Sequence, residues 1–270
     1  SSEDAIAHGP RDFLGLTVDA LAAKGTPVRI ATVDGRSRYG GSQFLNSTAT
    51  GRYADYVSEE IQPALLARFG GEAGHPGSTL IAGHSSGAYG ALMLAMKEHA
   101  KFHAVVALSP DSDFEVTHKP LVQQASVRAV TAGELDAAMA APGQARLPAD
   151  GLARLVMGLC ANYAPEKGRA GRFEWLYDAQ GKWREDSWQR WIEQDPLTQI
   201  QRRPEAFAAA QRIYLDGAEH DEFGANLGAR AMFGLLRVRR APVVFHETPG
   251  HHSDRLAERL ANGIAWALER

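Results

Sequence analysis

The sequence predicts an α/β fold: a mostly parallel sheet flanked by helices, with a helical cap inserted between two of its strands. Three observations predict it. Short β-rich apolar runs alternate with amphipathic helical patterns, the arrangement that wraps helices around a parallel sheet. One run, Thr79–Ala82, passes through Gly83-His84-Ser85-Ser86-Gly87 directly into a helical segment, Ala88–His99. Between Ala104–Leu108 and Arg212–Leu215 lies an interruption of roughly a hundred residues, far longer than an ordinary crossover.

In chain order, a helix is expected around Phe13–Ala23, with apolar residues at 14, 16, 18 and 21. A first strand follows at Pro27–Val33 (PVRIATV). Asp34–Gly51 is crowded with turn formers and reads as a long loop at that strand's carboxyl edge. Arg52–Phe69 carries apolar positions 53, 56, 57, 61, 65 and 66, a helical stripe. The strand at 79–82 and the helix at 88–99 come next, then strand Ala104–Leu108, ending in Ser109-Pro110-Asp111. The insertion, 111–205, reads mostly helical, as at Ala132–Ala140 and Pro148–Asn162, and holds the tryptophans at 175, 183, 188 and 191. We read it as a cap over the turn at 83–87; a side layer that buries its tryptophans in a core of its own is the alternative. Strands Arg212–Leu215 and Pro242–Phe245 each lead to a helix, Gly224–Leu236 and Ser253–Leu268. One domain over residues 1–270 accommodates all of this.

The composition is that of an ordinary globular protein, 44% hydrophobic and 23% charged. A formal net charge of −3 gives no electrostatic reason to expect nucleic acid or an anionic membrane as partner. No apolar run approaches the length of a membrane span, and no signal peptide is visible. Cys160 is the single cysteine, which excludes an internal disulfide and a thiolate metal cage. The histidines at 8, 75, 84, 99, 103, 118, 220 and 246 show no metal-ligand spacing and read as surface or packing residues. No cofactor is called for. The compartment stays open between cytoplasm and a secreted or periplasmic setting.

The chemistry collects around Ser85. A strand, a very tight turn and a helix form a nucleophile elbow, in which Cβ atoms at 83 and 87 are expected to clash and the serine is pushed out above the helix N-terminus. A serine hydroxyl needs a base, and the base needs an orienting carboxylate. Strand 212–215 runs into Asp216-Gly217-Ala218-Glu219-His220-Asp221-Glu222-Phe223, and strand 242–245 runs into Glu247-Thr248-Pro249-Gly250-His251-His252. His252 is favoured over His251 as base. Asp221 is favoured as acid, with Glu219 a substitute, Asp216 a loop-holding residue, and Asp111 and Asp113 a rival location. The backbone N–H of Ser86 is the expected oxyanion donor. Phe44, Trp175, Trp188 and Trp191 could line an aromatic pocket; core packing explains them nearly as well.

With these motifs in place, the chain resembles the putative-esterase family of α/β-hydrolases, represented by S-formylglutathione hydrolases, feruloyl and acetyl-xylan esterases, enterochelin esterases and mycolyltransferases. The similarity covers most of 12–110 and 190–268, including Gly41–Ser47, Tyr53–Phe69 with Glu59, Glu60 and Pro63, and Trp191–Leu197 (WIEQDPL). The resemblance implies an α/β-hydrolase-type fold and a triad of Ser85, Asp221 and His252. It implies a serine carboxylesterase that acts through an acyl-enzyme on a small-molecule, glycan or lipid ester. An acyltransferase and a catalytically silent binding domain are the alternatives. The chain departs from the family in three places. Its leading strands are expected to be absent, whether cut away or lost, with Ser1 where a second oxyanion donor belongs in the first case. One extra residue lies in Gly217–Asp221, and the cap is large.

Overall fold

The computed structural model describes residues 10–69, 79–141, 143–203, 205–207 and 211–269. Its centre is a four-stranded sheet, all parallel, ordered β1 (Leu80–His84), β2 (Ala104–Leu108), β3 (Arg212–Ala218) and β4 (Val243–Thr248). The reason for the parallel arrangement is visible in β2, whose run AVVAL is buried at every position: both faces must be covered. Val105 and Ala107 join Ile213 and Leu215 on one face, while Ala104, Val106, Leu108 and Tyr214 line the other. Helices α2 (Ser86–Lys97) and α3 (Ala225–Val238) cover the first face. Helices α1 (Pro10–Ala23) and α4 (Leu256–Leu268) cover the second.

Parallel pairing in this order leaves every β-to-α turn at one edge of the sheet. β3 and β4 run to Ala218 and Thr248, beyond the expected ends at 215 and 245, so Asp216 belongs to the strand and the acidic loop starts later. The expected strand at 27–33 is not formed: these residues alternate in exposure but find no ladder partner among the described residues, and without one an extended segment is not a strand. The loop at 34–51 contains two short hairpins, Arg36–Ser37 with Gly40–Gly41 and Asn46–Ser47 with Gly51–Arg52. The helix expected over 52–69 is broken by a π-helical stretch, Tyr56–Ile61, between Tyr53–Asp55 and Gln62–Phe69.

The insertion is helical, with Gly151–Tyr163, Glu185–Gln194 and Pro196–Arg202 among its elements. Side chains close two of these helices at their N-termini: Asp150 accepts from Ala153 N at 2.7 Å, and Asp195 from Leu197 N at 3.1 Å. Trp175, Trp188 and Trp191 are all buried in the insertion's own cluster, with Phe114, Tyr163 and Leu176. Tyr89 of α2 enters that cluster, its hydroxyl donating to the Gln194 carbonyl at 3.0 Å. The insertion therefore rests on the first turns of the elbow helix.

Candidate active site

Ser85 sits between β1 and α2 with φ 55° and ψ −124°, a conformation that is strained for any residue with a side chain. Its N–H is held by the Leu108 carbonyl at 2.9 Å, and its carbonyl accepts the first helical bond, from Tyr89 N, also at 2.9 Å. The two glycines of the turn have different roles. A Cβ at Gly83 would lie 2.2 Å from the Gly87 backbone, so residue 83 must be glycine. A Cβ at Gly87 would meet nothing within 4 Å among the described residues; the expected clash exists at one position only. Ser86 opens α2, so its N–H has no intrahelical acceptor and lies at the positive end of the helix.

His252 follows β4, in the loop that leads to α4. Its Nδ1 is 2.8 Å from Asp221 Oδ2, and both side chains are withdrawn from solvent. Burial alone would raise the pKa of Asp221, but the hydrogen bond from His252 and the N–H groups of Ala225 and Phe223 together hold it below the usual carboxylate value. The backbone of His252 is fastened as firmly as its ring. Its N–H donates to Glu222 Oε2 at 3.0 Å. Its carbonyl accepts from Arg259 Nη1 at 3.0 Å and faces His84 Nε2 at 3.0 Å. Burial, then the neighbouring His252, push the His84 pKa down to about 3, so the ring is neutral and Nε2–H is the donor. The His84 and His252 rings lie 4.6 Å apart, which sets the imidazole beside the residue that precedes Ser85. The edge of Phe223 closes over the His252 ring at 4.9 Å.

Arg259 is the side chain that sequence reasoning missed. It is 2% exposed, donates through Nε to Asp216 Oδ1 at 2.7 Å and through Nη2 to Ser109 Oγ at 2.8 Å, and so ties α4 to the ends of β2 and β3. A lone charge among the apolar positions 256, 260, 261 and 264 was the available signal. Asp216 accordingly serves Arg259 and Thr248, whose hydroxyl donates to it at 2.9 Å. Glu219 is exposed and uses its backbone on Thr248. Asp111 Oδ2 accepts from Ser86 Oγ at 3.3 Å, and the Asp113 N–H is taken by Asp195; neither rival acid pairs with His252. The His251 ring is 67% exposed and faces the His220 carbonyl at 3.1 Å.

The remaining candidates lie elsewhere. Phe44 packs its ring against Gly35 and Gly90, where a Cβ on either glycine would come within 2.7 Å. It also lines a cavity of about 260 Å³ on the flank of α2, with Met93, Lys97 and Gln194. Trp191 is fully buried, as are Trp188 and nearly so Trp175, and core packing accounts for these rings. Ser1, with the histidines at 8 and 75, lies outside the described residues. No group of three or more potential metal ligands occurs among the described residues. No helix among them is long and apolar enough to cross a membrane.

A family model described as Putative esterase matches residues 26–255. No curated protein matches the chain. Among solved structures, FphF, a fluorophosphonate-binding serine hydrolase of Staphylococcus aureus, is similar with a TM-score of 0.57 at 16% identity, over 96% of this chain and 79% of its own. An S-formylglutathione hydrolase from Agrobacterium tumefaciens (TM-score 0.47, 14% identity) aligns over 84% of this chain, and a ferulic acid esterase (0.46, 13%) over 83%. The chain spans 62% of the length of each of these last two. The likeness to FphF is one of fold. With the family model matched over most of its length, the chain belongs to the Putative esterase family.

Proposed function

We propose that this chain is a serine carboxylesterase in which Ser85 is the nucleophile, His252 the general base and Asp221 its orienting acid. The observation that carries the reading is the buried 2.8 Å contact of Asp221 Oδ2 with His252 Nδ1, beside a serine on a strained elbow. With Nδ1 committed to Asp221, Nε2 is free to take the Ser85 proton as Oγ attacks the ester carbonyl. The Ser85 hydroxyl makes no hydrogen bond among the described residues; in such sites that contact is often long until substrate binds. The tetrahedral oxyanion is met by the Ser86 N–H at the start of α2. His252 then gives its proton to the departing alkoxide, leaving an acyl group on Ser85. Water repeats the sequence on the acyl-enzyme and releases the acid. Small-molecule esters are the substrates, with glycan- and lipid-borne esters the bulkier members of the class to assay.

A fluorophosphonate probe tests the assignment. The intact protein is expected to be labelled on the peptide containing Ser85, and Ser85→Ala to lose both the label and p-nitrophenyl ester hydrolysis. Hydrolysis that persists in Ser85→Ala would overturn it.

A further inference from the structure

Asp111 follows β2 at the carboxyl edge of the sheet, where ligands gather in open parallel sheets. Its Oδ2 accepts from Ser86 Oγ at 3.3 Å, and His118 Nε2 stands 4.0 Å from the same oxygen. The proton count between carboxylate and ring is the informative point. Thr117 Oγ1 lies 2.9 Å from the Ser112 carbonyl and 3.1 Å from that of Asp113, and we assign its one hydrogen to the nearer carbonyl. Its lone pair then faces His118 Nδ1 at 3.0 Å and draws the imidazole hydrogen to that nitrogen. Burial lowers the His118 pKa more than Asp111 raises it, which keeps the ring neutral.

His118 Nε2 is thus an acceptor opposite a second acceptor, with no hydrogen between them. The surroundings are equally incomplete. The Trp191 indole N–H is buried without a partner among the described residues, and its ring lies 6.1 Å from that of His118. Leaving buried polar groups unpaired is expensive, so a cluster of this kind is built to be completed. Asp111 is the exposed end, its side chain 16% accessible against 6% for His118, and it adjoins the residue that supplies the oxyanion N–H.

We propose that Asp111 and His118 form a substrate subsite beside Ser85 for a group that presents two hydrogens at once: an ammonium or a pair of neighbouring hydroxyls. This rests on Ser85 as the nucleophile. The preferred esters carry such a group on the acyl or the alcohol half, close to the scissile bond.

The test measures kcat/KM for matched esters ending in a methyl, a vicinal diol or an ammonium group, on each half in turn. The intact enzyme is expected to favour one donor-bearing series over its methyl counterpart roughly tenfold or more. Asp111→Asn and His118→Phe should each bring that ratio to near one. Should either variant fail to fold, protection of Ser85 in the intact enzyme from fluorophosphonate by free propanediol or aminopropanol, against propanol, reads the same preference. Equal rates for all three ends, as a bridging water would give, or a preference that survives both substitutions, would overturn the subsite. Labelling of Ser85 is scored separately: retained labelling with no donor preference defeats the subsite alone. Selective binding of the diol or amine without labelling defeats the nucleophile instead.

Discussion

Two buried histidines flank the elbow, and their surroundings differ in kind. Around His252 the polar groups are matched: Nδ1 with Asp221, N–H with Glu222, carbonyl with Arg259 and His84. Around His118 they are not: in the assigned tautomer Nε2 faces a carboxylate without a hydrogen, and Trp191 carries an idle donor. A saturated shell leaves one orientation and one free nitrogen, which is what a base needs at the moment of proton transfer. An unsaturated shell has affinity to spare, which is what a binding site needs. The pair teaches that satisfaction of hydrogen bonds, more than burial, separates a group set to act from one set to receive.

The largest effect belongs to the saturated side. Asp221→Asn keeps the shape but stabilises the wrong tautomer of His252, and kcat should fall on the order of 10³- to 10⁴-fold with KM little changed. Steady-state kinetics on a p-nitrophenyl ester decide it; a loss under tenfold would mean that the shell around His252 works without its acid. Arg259→Leu is next. It removes a donor from the His252 carbonyl and leaves Asp216 buried and unpaired, so stability to urea should drop by about 3–5 kcal/mol. Adding Asp216→Asn should recover part of that stability, while kcat stays roughly tenfold or more below the parent because the carbonyl remains loose. Full recovery of kcat in the double variant would reduce Arg259 to a structural role.

A smaller effect appears in the pH dependence of stability. His84 titrates near 6.5 when unfolded and at about 3 when folded, through burial and then the charge of His252. Between those values the unfolded chain binds more protons, so this contribution is complete above about pH 6.5 and is lost as the pH falls toward 3. His84→Gln retains an amide donor for the His252 carbonyl and should flatten urea-unfolding stability between pH 6 and 4 relative to the parent. An unaltered slope would show that His84 is charged in the native protein.

The same contrast governs what could be read from the sequence. The sheet was legible because AVVAL, RIYL and PVVF have few alternatives to burial in a parallel sheet, and the elbow because a strand and a helix meet at Gly83. The order of Ser85, Asp221 and His252 along the chain was legible, and the geometry brings the last two within hydrogen-bonding distance. Partners that act across the fold were not: nothing local in α4 points Arg259 at a carbonyl seven residues before it and a carboxylate 43 residues before it. His118 read as a packing residue because its distinction lies in a missing hydrogen, which has no sequence pattern. PVRIATV has strand composition but lacks a neighbour, and pairing is a tertiary property.

The smallest effect tests the contrast most directly, because it alters one oxygen. Tyr89 and Tyr163 are both buried, with rings 5.5 Å apart in one aromatic cluster. The first donates to the Gln194 carbonyl at 3.0 Å; the second has no backbone acceptor among the described residues, with the Tyr89 hydroxyl as its one side-chain neighbour. Tyr89→Phe removes a made bond and strands an acceptor, so unfolding free energy should fall by about 1 kcal/mol. Tyr163→Phe removes a hydroxyl whose one neighbour, the Tyr89 hydroxyl, already bonds the Gln194 carbonyl, so the same measurement should show no loss or a gain of up to about 1 kcal/mol. The rings, the volume and the substitution are the same, which cancels packing from the comparison. A comparable loss at both positions would mean that the Tyr163 hydroxyl is already bonded, by a resident water for instance, and the shell around His118 would then be as saturated as that of His252.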